Sequence, residues 1–125
     1  MTLARWVFRI AGIYGLIVTA PMFFIERRVS AAGPPIVHPD LYYGFAGVVL
    51  AWQFVFLLIA SDPPRFRPLM PVAWVEKLAY AIPVPLLVAQ RRVTPGLLPF
   101  AIIDGILFVL FVLAFFATPR AGGRP

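Results

Sequence analysis

Residues 41–61 read LYYGFAGVVLAWQFVFLLIAS, and this stretch decides the fold. It is apolar almost throughout, carries no charge, and has a single amide, Gln53, near its middle. A helix needs about 20 predominantly apolar residues to cross the hydrocarbon core of a bilayer. The stretch therefore predicts a transmembrane helix.

Three other apolar segments of similar length predict three more spans, at residues 6–25, 71–90 and 97–118. We expect an all-α, four-helix transmembrane bundle that forms a single transmembrane domain over residues 1–125. Because the second and third connections are short, consecutive helices are expected to be antiparallel neighbours. The tail, residues 119–125, is predicted to be disordered.

The composition agrees with a membrane protein. Of the 125 residues, 62% are hydrophobic and 13% are charged, with a mean hydropathy of +0.91. Soluble proteins are about 45–50% apolar and about 25% charged. The net charge of +6 comes mainly from arginines placed between apolar runs. This is typical of loops that contact lipid headgroups, so we expect no nucleic-acid partner.

The first span has a competing interpretation as a signal peptide, because Val29-Ser30-Ala31 resembles a cleavage site. The apolar stretch is long for a signal, however, and residues 26–28 place three charges just before the cut. We therefore favour an uncleaved helix.

Local signals predict where helices start, stop and bend. Residues 26–40 are expected to form the longest loop, and Asp40 after them suits an N-cap. Pro71 suits the first residue of the third span. Pro83 and Pro85 each remove a backbone donor, which predicts a kink or a broken helix there.

Small residues four apart favour close helix contacts, and three such pairs occur: Ala11 with Gly15, Gly47 with Ala51, and Ala101 with Gly105. Because Gln53 lies near the second pair, we expect that side of the helix to face inward.

Basic residues near the span ends predict the orientation. With an internal amino terminus, the inner side carries Arg5, Arg9, Arg65, Arg67, Arg120 and Arg124. The outer side then carries Arg27, Arg28, Arg91 and Arg92. Six against four favours cytoplasmic termini.

Three ionisable residues fall within predicted spans, namely Glu76, Lys77 and Asp104. A charge at the bilayer centre costs about 2.5–3.5 kcal/mol on insertion scales, so such residues usually face the bundle interior and mark functional sites.

Glu76 has two competing interpretations. Tyr14, Gln53 and Glu76 reach similar depths in three spans, so a polar layer is expected, with Tyr80 on the face of Glu76 and Arg9 within its reach. The carboxyl would then handle protons or bind a ligand. We favour the other interpretation, an inter-helix polar clasp with Lys77 extending to the membrane surface.

Asp104 also has two interpretations, which the sequence leaves open. It would relay protons or contact a cation, or it would hydrogen-bond a neighbouring helix, such as a tyrosine of the second span. The depth arithmetic puts Glu76 and Asp104 nearer opposite faces of the membrane.

No metal site is expected, and the sequence leaves any cofactor unknown. The chain has no cysteine, which excludes thiolate ligands and disulfides. Glu26, His38 and Asp40 would provide two carboxylates and an imidazole if they gathered, but a single loop histidine is a weak metal signal.

The segments HPDLYYGF, AWQ, DPPRFRPLM and EKLAY, followed by the lone Asp104, resemble a set of small bacterial four-span membrane proteins of no established activity. The similarity covers roughly residues 6–118. Seven residues match that polar pattern: Trp52, Gln53, Asp62, Arg65, Glu76, Lys77 and Asp104. A looser similarity is to DoxX-like four-helix membrane proteins. The resemblance implies the four-span fold and a bacterial origin, and it assigns no residue a role. We expect the protein in the bacterial cytoplasmic membrane.

Three functions fit these observations. The favoured one is a non-catalytic accessory or assembly subunit that packs in lipid against another membrane protein or a second copy of itself. The second is a binder or carrier of a small hydrophobic ligand or a proton, with Glu76, Asp104, Gln53, Tyr14, Tyr80 and Lys77 as candidates. The third is an intramembrane lipid-modifying enzyme. It needs an acid–base pair, and the depths estimated for Glu76 and Asp104 count against one.

Overall fold

The computed structural model describes residues 3–33 and 35–120, and the regular structure in these ranges is entirely helical. Four helical segments are long and apolar enough to cross a membrane: Leu3–Phe23, Pro39–Ser61, Arg67–Ala89 and Pro95–Ala117. The all-α four-helix class is confirmed, and the spans lie close to the predicted ones. Residues 121–125 of the predicted tail, including Arg124, lie outside the described ranges. Pro34 lies outside them as well.

Within the described residues there are six α-helices: α1 (Leu3–Thr19), α2 (Glu26–Ala32), α3 (Pro39–Ser61), α4 (Met70–Ala81), α5 (Pro83–Ala89) and α6 (Leu98–Ala117). Short 3₁₀ turns extend α1 and precede α4 and α6. The third span thus consists of a 3₁₀ turn, α4 and α5.

The prediction of one long loop over residues 26–40 is wrong for its first half, because residues 26–32 form α2. The segment contains Glu, Arg and Ala, which have high helix propensity, and Glu26 in the first turn is favourable to the helix dipole. The helix ends at Ala32 with Gly33 as its C-cap, and residues 35–38 have no regular secondary structure.

Asp40 is not the N-cap of α3. His38 occupies that position without a side-chain cap, and Pro39 is the first helical residue. Proline suits this position because its missing N–H would be unpaired there anyway. Asp40 lies in the first turn, where its charge still faces the positive end of the helix dipole.

The broken third span is confirmed. Regular helix stops at Ala81 and resumes at Pro83, because Pro83 and Pro85 lack the amide hydrogens that a continuous helix needs. The amide of Ile82 still donates to the carbonyl of Leu78 at 3.1 Å, so the chain stays helical on both sides of the break. α4 begins one residue earlier than predicted, at Met70.

The helices are arranged in the order α3, α1, α6, α4 around the bundle. α1 packs closely on α3 and also on α6, and α6 packs closely on α4. The expectation that all consecutive spans are close neighbours is wrong for α3 and α4, which barely touch. Each is held by a different central helix, so the two are free to diverge.

Two arginines connect the start of one span to the end of a neighbouring span by hydrogen bonds. The Arg67 Nε donates to the Thr118 carbonyl at 2.8 Å, and its guanidinium lies 3.8 Å from the Phe115 ring centroid. These contacts join the start of the third span to the end of α6. At the same end of the bundle, Arg5 donates to the carbonyl of Ser61 at 3.3 Å.

Three phenylalanines from three helices form the centre of the core. Phe8 and Phe111 are stacked with ring centroids 4.2 Å apart, and Phe56 meets Phe111 edge-on at 5.1 Å. All three are fully buried. This aromatic cluster holds α1, α3 and α6 together and lies next to the polar residues described below.

The three small-residue pairs differ in whether they are buried at a helix contact. Ala11 and Gly15 are both buried, as expected, and Gly15 lies against Gln53 of α3. A Cβ added to Gly47 would meet nothing within 4 Å, and Ala51 is exposed. The expectation that this side of α3 faces inward is therefore wrong, although Gln53 itself points into the bundle. Gly105 is likewise open, while its partner Ala101 is buried.

Candidate functional site

Lys77 lies at the centre of the only buried charge cluster among the described residues. Its Nζ is 3.2 Å from Asp104 Oδ1 on α6 and 3.5 Å from Glu76 Oε1 on its own helix. The ammonium also lies 5.1 Å from the ring centroid of Phe56 on α3. The side chain therefore links α4 to two other helices.

The structure corrects four expectations about these residues. Lys77 does not extend to the membrane surface, since only 3% of it is exposed. Arg9 does not pair with Glu76, and its guanidinium instead lies over the Trp6 ring. Glu76 and Asp104 are not at opposite depths, because both contact one ammonium.

The fourth correction concerns the partner of Asp104. It pairs with Lys77 and not with a tyrosine of α3. The hydroxyls of those tyrosines have other acceptors: Tyr42 donates to the Met22 carbonyl at 2.7 Å, and Tyr43 donates to Glu26 Oε1 at 2.9 Å.

A groove of about 680 Å³ opens beside the charge cluster, between α3 and α4. It exists because these two helices diverge, and α1 and α6 form its floor. Most of its lining is apolar, and side chains such as Val48 on α3 and Val75 on α4 form its outer walls. Both valines are exposed at the bundle surface, so the groove is open sideways toward the lipid.

The groove joins all six candidate residues, since Tyr14, Gln53, Glu76, Lys77, Tyr80 and Asp104 all line it. Tyr14, Gln53 and Glu76, for which a polar layer was expected, thus line one groove. Tyr14 and Tyr80 make no hydrogen bond to any residue in the described ranges, so their hydroxyls are available to a molecule in the groove.

Gln53 is the most deeply buried polar side chain of the groove, with 2% exposed. Its Nε2 donates to the Val49 carbonyl at 2.7 Å, while its Oε1 has no partner among the described residues. The side chain fits only because Gly15 of α1 lacks a Cβ, which would collide with the Gln53 amide group. An unpartnered buried acceptor costs about 1–3 kcal/mol, so a ligand donor there would be favourable.

Sequence reasoning missed the groove and its aromatic walls, Trp52 and Phe100. It also missed the burial of Lys77, although a signal was present. Met70, Ala73 and Lys77 are spaced three and four apart, which places all three on one helical face, and all three are buried. That periodicity in α4 predicts that Lys77 faces the bundle interior.

Glu26, His38 and Asp40 do not gather into a metal site. Among residues 3–33 and 35–120, no three histidine or acidic side chains come close enough to hold a metal ion. Glu26 instead accepts the hydroxyl of Tyr43, and His38 and Asp40 are exposed.

The fold and this site define a class: a multi-pass, all-α membrane protein with a lipid-facing groove and a buried charge cluster. Comparison with protein-family models, with curated proteins and with solved structures gives no match to this chain.

Proposed function

We propose that this protein binds a small, largely hydrophobic molecule with a polar end in the groove between α3 and α4. The observation that carries the proposal is the groove itself. Small-molecule sites are typically about 300–1,000 Å³, mostly apolar, with a few polar groups that fix the ligand's orientation. The groove has the required size, with apolar walls and polar residues beside its floor.

Access from the bilayer supports the proposal. The groove opens between two helices that face lipid, so a hydrophobic molecule dissolved in the membrane reaches it without crossing water. The apolar part of the ligand would lie against Val48 and Val75 on the two walls. Its polar end would then meet the charge cluster and the free hydroxyls of Tyr14 and Tyr80.

The test is to purify the protein in mild detergent from its source membrane and to identify the bound small molecules by mass spectrometry. Val75→Trp and Val48→Trp place a large ring at each wall. Val109→Trp is the matched control, because Val109 on α6 is similarly exposed (52%, against 64% and 63%) but does not line the groove. We expect one small hydrophobic species in the parent and the control, and its loss from both wall variants.

Recovery of the same species from all four proteins, or of none from the parent, would contradict the proposal. Native mass spectrometry of the same samples tests the accessory-subunit prediction, which would give a stoichiometric protein partner. The open face of α3 at Gly47 and Ala51 favours the accessory-subunit function, since small residues let a partner helix approach closely.

The third function is a lipid-modifying enzyme. The different depths estimated from the sequence for Glu76 and Asp104 counted against it, but the two residues are near each other. Both carboxyls contact Lys77, however, and an acid–base pair needs one group able to accept a proton and one able to give it. The groove therefore supports binding more directly than catalysis.

We also propose that the chain lies in a bacterial cytoplasmic membrane with both termini in the cytoplasm. The bacterial assignment is supported by the resemblance described above. The orientation is supported by the charge bias of the sequence, which predicts six arginines on the side of the termini against four on the other side.

A further inference from the structure

We infer that the polar end of the groove ligand is a cation, specifically an organic ammonium that donates hydrogen bonds. The inference rests on the proposed binding function and adds the chemical class of the ligand. It follows from the charges of the groove, from the unpartnered acceptor of Gln53, and from the aromatic side chains of the lining.

The charged groups of the groove do not balance. Among the described residues that line it, Glu76 and Asp104 provide two carboxyls, and Lys77 provides the one cationic group. Lys77 contacts both carboxyls, so its charge is already shared between them. One carboxyl remains without a cation of its own, and an incoming ammonium would supply it.

An anionic head is disfavoured by the same geometry. The ammonium of Lys77 is almost completely buried and faces two carboxyls and the Phe56 ring. A carboxylate or phosphate entering the groove would have to displace one of these carboxyls from Lys77 while lying close to both. Like charges in such a site repel strongly because little water screens them.

Gln53 gives an independent reason to expect a donor. Its Oε1 is buried, accepts no hydrogen bond within the described residues, and belongs to a side chain that lines the groove. Carbonyl oxygens accept and cannot donate, so only a ligand with N–H or O–H groups satisfies it. An ammonium has several N–H donors, so it has one for the Gln53 oxygen in addition to those that a carboxyl accepts.

The aromatic lining suits a cation as well. Tyr14, Trp52, Tyr80 and Phe100 line the groove. The faces of aromatic rings carry partial negative charge and attract cations, most strongly where water is excluded. Rings on several sides of the groove would therefore stabilise an ammonium while also contacting the hydrocarbon part of the same ligand.

The experiment compares three probes that share one carbon frame and differ in the head: 4-phenylbutylammonium, 4-phenylbutanol and 4-phenylbutyrate. Binding to the full chain in phosphatidylcholine nanodiscs is measured by equilibrium dialysis, with empty nanodiscs subtracted. We expect the ammonium to bind about tenfold or more tighter than the alcohol, and the carboxylate to bind weakest.

Two variants connect the preference to the groove. Glu76→Gln removes the excess carboxyl and leaves the pair between Lys77 and Asp104, so the ammonium should lose about tenfold in affinity while the alcohol is unchanged. Asp40→Asn is the matched control, because Asp40 is exposed and outside the groove, and it should change neither.

The outcomes separate this inference from the proposed function. Equal binding of all three probes, or tightest binding of the carboxylate, overturns the cationic assignment and leaves the groove as a binding site. If none of the three probes binds, the cationic assignment is overturned too. The co-purification experiment then tests separately whether the groove binds a small molecule. The head-group comparison uses the parent protein, so it remains decisive even if Glu76→Gln does not fold.

Discussion

At the scale of single residues, Lys77 connects stability and function. A lysine inside a helix bundle is costly unless its charge is compensated, and here two carboxyls and an aromatic ring compensate it. The same contacts fix the position of Glu76 and Asp104 at the groove. Lys77 thus neutralises the two buried carboxyls and also fixes their positions in the candidate site.

We predict that Lys77→Met destabilises the protein by about 3–5 kcal/mol, because it leaves two buried carboxyls without a cation. The measurement is reversible unfolding in mixed micelles with increasing denaturing detergent. The triple variant Glu76→Gln, Lys77→Met, Asp104→Asn removes all three charges together and should recover most of the loss, since replacing a whole buried ion cluster is often nearly neutral.

If the triple variant were as unstable as Lys77→Met, the loss would come from the packing of the lysine side chain and not from unpaired charge. That result would also remove the reason for treating the cluster as an electrostatic unit.

At the scale of elements, the contact between α1 and α3 depends on the absence of side chains. A Cβ at Gly12 would lie 2.8 Å from Leu57 Cγ and 3.0 Å from the Gln53 carbonyl oxygen. Backbone atoms cannot move aside as a flexible side chain does. Close approach of these two helices, and hence the position of Gln53 in the groove, therefore needs glycine on α1.

Gly12→Ala should separate α1 from α3 and destabilise the bundle by about 1–3 kcal/mol, the usual range for overpacking. The matched control is Gly47→Ala on α3, where the added methyl meets open space, so helix propensity alone should stabilise the protein by about 0.5–1 kcal/mol. The same detergent titration measures both. Equal effects of the two substitutions would show that helix propensity, and not the contact, decides the outcome.

At the scale of the whole molecule, the groove is a consequence of helix order. α1 and α6 occupy the middle of the bundle, so α3 and α4 are held at its two sides. The arginine contacts at one end join Arg67 to the end of α6 and Arg5 to the end of α3. The α3–α4 gap itself is lined by side chains from all four spans.

The proposed orientation is testable because the chain has no cysteine. Ala31→Cys, at the exposed end of α2, should react with a membrane-impermeant maleimide in intact cells. Ser61→Cys, exposed at the opposite end of the bundle beside Arg5, should react only after the membrane is permeabilised. The reverse pattern would place the termini outside.

Much of this architecture was readable from the sequence. The four spans were predicted because hydropathy is a property of each segment by itself, and the break near Pro83 was predicted because proline removes a donor wherever it stands. The six candidate residues were found because polar groups within apolar segments are few. Local signals were less reliable for caps: α2 and the start of α3 at Pro39 were missed.

The sequence by itself thus determined that the chain crosses a membrane four times and which polar residues lie within the spans, since both depend on local composition. Only the tertiary structure decided that α3 and α4 diverge, that Lys77 turns inward to both carboxyls, and that the Gln53 Oε1 is buried without a partner among the described residues. The physical reason is that these features depend on which helix faces pack together. That choice is made by contacts between distant residues, such as Gly12 with Leu57 and Phe8 with Phe111.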